Sequence, residues 1–172
     1  IGMTNTRFDS IYEFDDVAAH DNYKSALKAG LSPKQALDIL NIESRDHART
    51  PFLWSAEKNA GFSTASETWL KVNQDYTTIN AAAQINDEHS VLSFYKKLIA
   101  LKKDSQWHDI LTDGRFVPLS PVAEYEVPFA RELDGRQIQV LASFEDAAIT
   151  RSVPADASIV LATDGVTLNN GQ

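Results

Sequence analysis

The apolar residues of this chain keep two different periods, and the change falls between Lys103 and Trp107. Before it, "NDEHSVLSFYKKLIALKKDS" spaces Val91, Phe94, Tyr95, Leu98, Ile99 and Leu101 mostly at i, i+3, i+4, i+7, which is one face of a helix. The reading puts Asp87 and Glu88 in the first turn of that helix and Lys96, Lys97, Lys102 and Lys103 toward its end, both favourable to the helix dipole. After it, Ala123, Tyr125, Val127 and Phe129 alternate with more polar neighbours, as do Ile138, Val140, Ala142 and Phe144. A pattern with one of these periods does not settle into the other structure. The chain is therefore divided at this point into a helical part, residues 1–104, and a small antiparallel β domain, residues 105–172.

Local signals fill in both parts. In "DDVAAHDNYKSALKAG" the residues Val17, Ala18, Tyr23, Ala26 and Leu27 form a rough helical stripe, and Gly30 is a natural stop. Glu13, Asp15 and Asp16 read as a solvated helix entry. In "LSPKQALDILNIES", Ser32 is an N-cap and Pro33 the first helical residue, with Ala36, Leu37, Ile39 and Leu40 on the buried face. From Arg45 to about Ile85 no regular element is expected. That segment carries Phe52, Trp54, Phe62, Trp69 and Tyr76, and disordered segments are poor in aromatics. An ordered, aromatic-rich loop of that length is a candidate site wall. In the β part, Asp134-Gly135 is a hairpin turn, and Pro128 marks an edge strand because it cannot donate to a ladder. Further strands are expected in "AAITRSV", "ASIVLAT" and "TDGVTLNNGQ".

Charge and composition narrow the function. A net charge of −8 over 172 residues argues against nucleic acid, whose phosphates need clustered Lys and Arg, and against an anionic membrane surface. With no cysteine there is neither a disulfide framework nor a thiolate metal site. His20, His47, His89 and His108 are scattered without metal-ligand spacing, and no Gly-rich phosphate loop occurs, so neither metal nor cofactor is expected. No apolar run approaches the roughly 20 residues of a membrane helix. A cytoplasmic location is compatible with all of this. A chain that opens on "IGMTN" rather than on Met reads as a piece of something longer.

The densest polar knot is "ESRDHARTPFLWS", residues 43–55. Arg45 and Arg49 bracket Asp46 and His47, and Pro51 biases the residue before it away from helix. Arginine offers a planar fork that fits a carboxylate or a sugar hydroxyl pair. Trp54 can stack on the apolar face of a sugar. Equally, Arg45 and Asp46 can form an ion pair that ties down a loop, with Trp54 as a core plug. His47 has no partner of triad type in the sequence. No pair of carboxylates can be placed across a cleft from the sequence alone.

In order along the chain, "IGMTN", "RDHARTPFLWS", "NAGFS", "WLKVN" and "SVLSFYKKLIALKK" resemble the C-terminal third of α-amylase-superfamily α-glucosidases. The resemblance is to oligo-1,6-glucosidase and dextran glucosidase (glucan 1,6-α-glucosidase), with sucrose isomerases and trehalose-6-phosphate hydrolases nearby. It covers about residues 1–103. It implies an α/β plus all-β fold, in which the last segment of a (β/α)₈ TIM barrel is followed by a small antiparallel β-sandwich C-terminal domain. It implies a retaining mechanism whose three carboxylates lie upstream of Ile1, so no catalytic residue is assigned in this chain. The implied partners are an oligosaccharide substrate and the remainder of the barrel. One position carries over residue by residue: Arg45 looks like the family arginine that pairs with an upstream aspartate and holds the non-reducing glucose. Arg49 would order the loop and Asp46 would orient one of the arginines, giving Arg45, Asp46 and Arg49 as the substrate-binding set. Where the family often reads "TPMQW", this chain has Phe52 and Leu53, so an amide that could contact a sugar or the loop backbone is absent. The competing reading is a non-catalytic carbohydrate-binding or structural module, with Tyr125 or Trp107 on its surface.

Overall fold

The computed structural model describes residues 1–145, 150–163 and 165–168. The chain forms two compact units, Ile1–Ser93 and Phe94–Gln172.

In the first unit, helix α1 (Val17–Lys28) starts at Asp16, whose side chain accepts from Ala18 N. It ends in a Schellman arrangement: Gly30 N donates to Leu27 O, Leu31 N donates to Ala26 O, and Gly30 takes a φ of +93°. Helix α2 (Pro33–Glu43) has Ser32 as its N-cap and Pro33 in its first turn, as its sequence predicts, and Gln35 completes a capping box with Ser32. The two helices pack on each other over a core of Phe8, Phe14, Ala19 and Leu40, with Ile11, Tyr23 and Leu37 against it. Asn41 of α2 clamps the backbone of Phe8, accepting its N–H at 2.8 Å and donating to its carbonyl at 2.9 Å. The buried face of α1 is rotated from the expected stripe. Ala19 and Tyr23 face the core, while Val17 and Ala18 are exposed. Ile39 of α2 is likewise on the surface. A single short stripe fixes a helix's phase poorly, and the face that is buried is the one packed on α2 and on Phe8 and Phe14.

From Arg45 onward the chain runs through 3₁₀ turns at Arg45–Ala48, Lys58–Gly61 and Gln74–Thr77, then a single turn of helix, α3 (Ala81–Gln84). Buried amides hold these segments. Asn73 donates to Thr4 O at 2.7 Å and accepts from Asp75 N at 2.8 Å. Asn80 donates to Tyr76 O and accepts from Ala83 N, both at 2.9 Å. Each satisfies backbone groups that a loop would otherwise leave unpaired.

Helix α4 (Val91–Lys103) begins later than the sequence suggests. Ser90 Oγ accepts from Ser93 N, so Asp87 and Glu88 precede the helix rather than occupy its first turn. Its apolar stripe is open: Tyr95, Leu98 and Ile99 are all exposed. A short helix α5 (His108–Asp113) follows, where the sequence pattern shows the period-two region already begun. Then come strands β1 (Arg115–Pro118), β2 (Glu126–Leu133) and β3 (Arg136–Ser143), an antiparallel sheet in the order β1-β2-β3. Helix α5 packs against β2 and β3, and its Ile110 is fully buried.

The β2–β3 hairpin turns at Asp134-Gly135, with Leu133 paired to Arg136 and positive φ of 49° and 78° at the two turn residues. Pro128 corrects the edge-strand expectation, because β2 is the central strand. Its carbonyl accepts from Leu119 N, on the β1 side. In an antiparallel strand the nitrogen of a residue faces the same way as its carbonyl. The missing donor of Pro128 therefore falls opposite Leu119, just past the end of β1 at Pro118, where it removes one terminal bond rather than interrupting the ladder. Phe129 stacks on Phe116 of β1 at 5.2 Å between ring centroids. The buried positions of β2 are Pro128 and Ala130, of the opposite parity to Val127 and Phe129. Ala123 and Tyr125 lie before the strand. Residues 157–163 do not form the expected strand, and Ile159 and Val160 are exposed there. They have no neighbouring strand to pair with among the described residues. The expected strand at 147–153 lies partly outside the described residues, as does that near the end of the chain. Among the described residues no helix is long and apolar enough to cross a membrane.

Candidate functional site

The polar knot folds against the start of α1. Ser44 ends α2 and caps the next turn, accepting from Asp46 N at 3.2 Å. The 3₁₀ turn Arg45–Ala48 then presents Arg45 and Asp46 toward the residues that lead into α1. Asp46 is fully buried. Its Oδ2 accepts from the backbone N–H of Asp15 at 2.8 Å and of Asp16 at 2.9 Å. Its Oδ1 accepts from Arg49 Nη1 at 3.2 Å. A buried carboxylate is tolerated when hydrogen bonds and a paired charge replace its hydration, and here both are present.

Asp16 answers in the opposite direction. Arg45 Nε donates to its Oδ2 and Arg45 Nη2 to its Oδ1, each at 2.7 Å. Arg49 Nη1 lies 3.6 Å from Asp16 Oδ2. The Arg45 hydrogen bonds, with the N-cap bond from Ala18 also helping, hold the Asp16 carboxyl down to about 2 against burial that works the other way. The same hydrogen bonds raise Arg45 above its ordinary value. Asp16 is thus a buried ion-pair partner, which corrects its reading as part of a solvated helix entry. Asp15 is exposed. Arg45 pairs with Asp16 and Arg49 with Asp46, so the Arg45–Asp46 ion pair that sequence adjacency offered is not the one formed.

Arg45 remains largely open, with 66% of its side chain exposed. Both of its bonds to Asp16 use the Nε–Nη2 edge, and Nη1 has no partner among the described residues. What the cluster can do chemically follows from this. It holds one guanidinium by one edge and offers the other edge to a hydroxyl pair or a carboxylate.

The rest of the knot is structural. His47 Nε2 lies 3.2 Å from Leu40 O, and its ring sits against Phe8. A nitrogen facing a carbonyl donates to it, and the other ring nitrogen, Nδ1, is buried without a hydrogen-bond partner among the described residues. His20 and His108 each place a ring nitrogen 2.9 Å from a backbone carbonyl in the same way. Leu53 is completely buried, so the position where the family often carries an amide faces the interior of this unit. Trp54 is not a core plug. It is exposed and meets the Phe52 ring edge-on at 4.6 Å. Its backbone N–H donates to Ala60 O, in a turn where Asn59 and Ala60 both take positive φ.

Sequence reasoning missed Asp16 as a member of this cluster. The available signal was Asp16 as an N-cap ahead of Val17, which fixes where its carboxylate points but not what it meets.

The chain is 37% identical over 147 residues to oligo-1,6-glucosidase from Parageobacillus thermoglucosidasius, covering 85% of this chain and 25% of that protein. It is 34% identical over 158 residues to glucan 1,6-alpha-glucosidase from Streptococcus dysgalactiae subsp. equisimilis, covering 81% of this chain and 29% of that protein. Its structure matches isomaltulose synthase (PalI) from Klebsiella sp. LX3 with a TM-score of 0.79 at 32% identity, covering 90% of this chain and 27% of the other. The chain thus spans 25% to 29% of the length of the curated relatives it matches. The model of the alpha-amylase catalytic domain matches residues 1–114, and the chain belongs to the α-amylase family.

Proposed function

We propose that this chain is part of a retaining, exo-acting α-glucosidase that removes α-1,6-linked glucose from the ends of isomalto-oligosaccharides or dextran. On this reading residues 1–104 are the last part of a (β/α)₈ barrel and residues 105–172 the C-terminal antiparallel β domain. The catalytic carboxylates lie upstream of Ile1, and the chain works with the remainder of its barrel in the cytoplasm. Arg45 holds the non-reducing glucose, Arg49 and Asp46 order the loop that carries it, and the closed end of such a pocket favours attack at chain ends.

The observation that carries this reading is the half-occupied guanidinium of Arg45, rigidly held on one edge and open on the other. The likeness to oligo-1,6-glucosidase supports the substrate. The open apolar stripe of α4 supports a missing packing partner, because contiguous exposed apolar surface marks an interaction face.

A second reading draws on the structural match to isomaltulose synthase: the complete protein would rearrange sucrose rather than hydrolyse isomaltose. Product analysis of the complete protein with isomaltose, sucrose and trehalose-6-phosphate separates the two. The glucosidase reading expects glucose from isomaltose, released first as the α-anomer. Isomeric disaccharides from sucrose, with little glucose from isomaltose, would replace it with the synthase reading.

A further inference from the structure

We infer that Asp16 is the positioning residue for Arg45: it fixes the plane and direction of the guanidinium so that the Nη1 edge meets the substrate. This inference rests on the reading of Arg45 as the glucose anchor. Arg45 stands on a short 3₁₀ turn, and a long, exposed side chain in that setting would sample many rotamers. Two parallel bonds of 2.7 Å to one carboxylate remove that freedom, because the guanidinium and the carboxylate are both planar.

Asp16 can serve as the fixed member of the pair because it is held at three points. Its backbone N–H is bound by the buried Asp46 at 2.9 Å. Its Oδ1 also caps α1 through Ala18 N at 3.1 Å. Arg49 Nη1 lies 3.6 Å from Oδ2. The direction of Arg45 is therefore referred to the end of a 12-residue helix rather than to its own loop. Loss of such orientation lowers turnover by about a hundredfold even when the binding group itself remains.

The test is a double-mutant cycle in the complete protein: kcat/KM for isomaltose in the parent, Asp16→Asn, Arg45→Ala and the double variant, each with its folded fraction measured. Asn keeps the N-cap but removes the charge. The expected result is a loss of about a hundredfold for Asp16→Asn, with the double variant no worse than Arg45→Ala alone. A change within about threefold for Asp16→Asn, beside a large loss for Arg45→Ala, would overturn the positioning role and leave the anchor standing. Losses that multiply in the double variant would also overturn it, since Asp16 would then act other than through Arg45. A near-normal Arg45→Ala would defeat the anchor reading and the inference together. Should Asp16→Asn not fold, Asp16→Ser retains a capping oxygen and enters the same cycle.

Discussion

Asp16 and Asp46 secure each other from opposite directions. The Asp46 carboxylate accepts the backbone N–H of Asp16, and the Asp16 carboxylate grips Arg45, the residue just before Asp46. The turn after α2 and the entry to α1 are thereby locked without a single backbone–backbone bond between them having to form.

Removing Asp46 takes the acceptor away from the N–H groups of Asp15 and Asp16 and leaves Arg49 only its 3.6 Å contact with Asp16. Asp46→Ala is expected to cost about 3 kcal/mol. A urea titration of the variant beside the parent reads this directly, as a lowered midpoint at unchanged slope.

The Asp16 pair also makes stability depend on pH. The folded carboxyl is held at about 2, below its ordinary 3.8, chiefly by its hydrogen bonds to Arg45. A depressed acid contributes its full stability above the unfolded value and loses it as pH falls through the folded one. The loss thus falls between about 4 and about 2. Asp9, Asp38 and Asp109 are lowered as well, so the informative quantity is a difference. The melting temperature of Asp16→Asn should fall less steeply over that window than that of the parent.

Leu53 has no exposed surface, although it stands beside the exposed Trp54. Leu53→Ala should destabilise the first unit by about 2–5 kcal/mol. Leu53→Gln should cost at least as much, since its amide would enter an apolar site. Chemical denaturation of both variants checks this, and it separates a packing role at this position from a sugar contact.

Ser32 begins α2 with both bonds of a capping box. Ser32→Ala is expected to cost about 1 kcal/mol, visible as a modest drop in melting temperature and faster amide exchange in the first turn of α2.

The cap at Ser32 and Pro33, and the hairpin at Asp134-Gly135, were readable because each signal is complete within a few residues. The segment from Arg45 to Ile85 was readable as largely irregular because no run in it keeps a period; the single helical turn α3 (Ala81–Gln84) is too short to leave one. The Asp16–Arg45 pair was not, because the two residues are brought together only when α1 and α2 pack. Pro128 was misplaced at an edge because a rule about missing donors says nothing about which side of the strand the nitrogen faces. The phase of α1 was missed because Val17 and Ala18 suit a buried face and an exposed first turn equally well.

The most direct measurement is kcat/KM for isomaltose in the complete protein with Arg45→Ala and Arg45→Lys. Lysine keeps the charge but not the fork. Alanine is expected to lower kcat/KM by about a hundredfold or more and lysine to restore little of it, with both variants folded. Parent-like kcat/KM in a folded Arg45→Ala protein would contradict the anchor reading of Arg45.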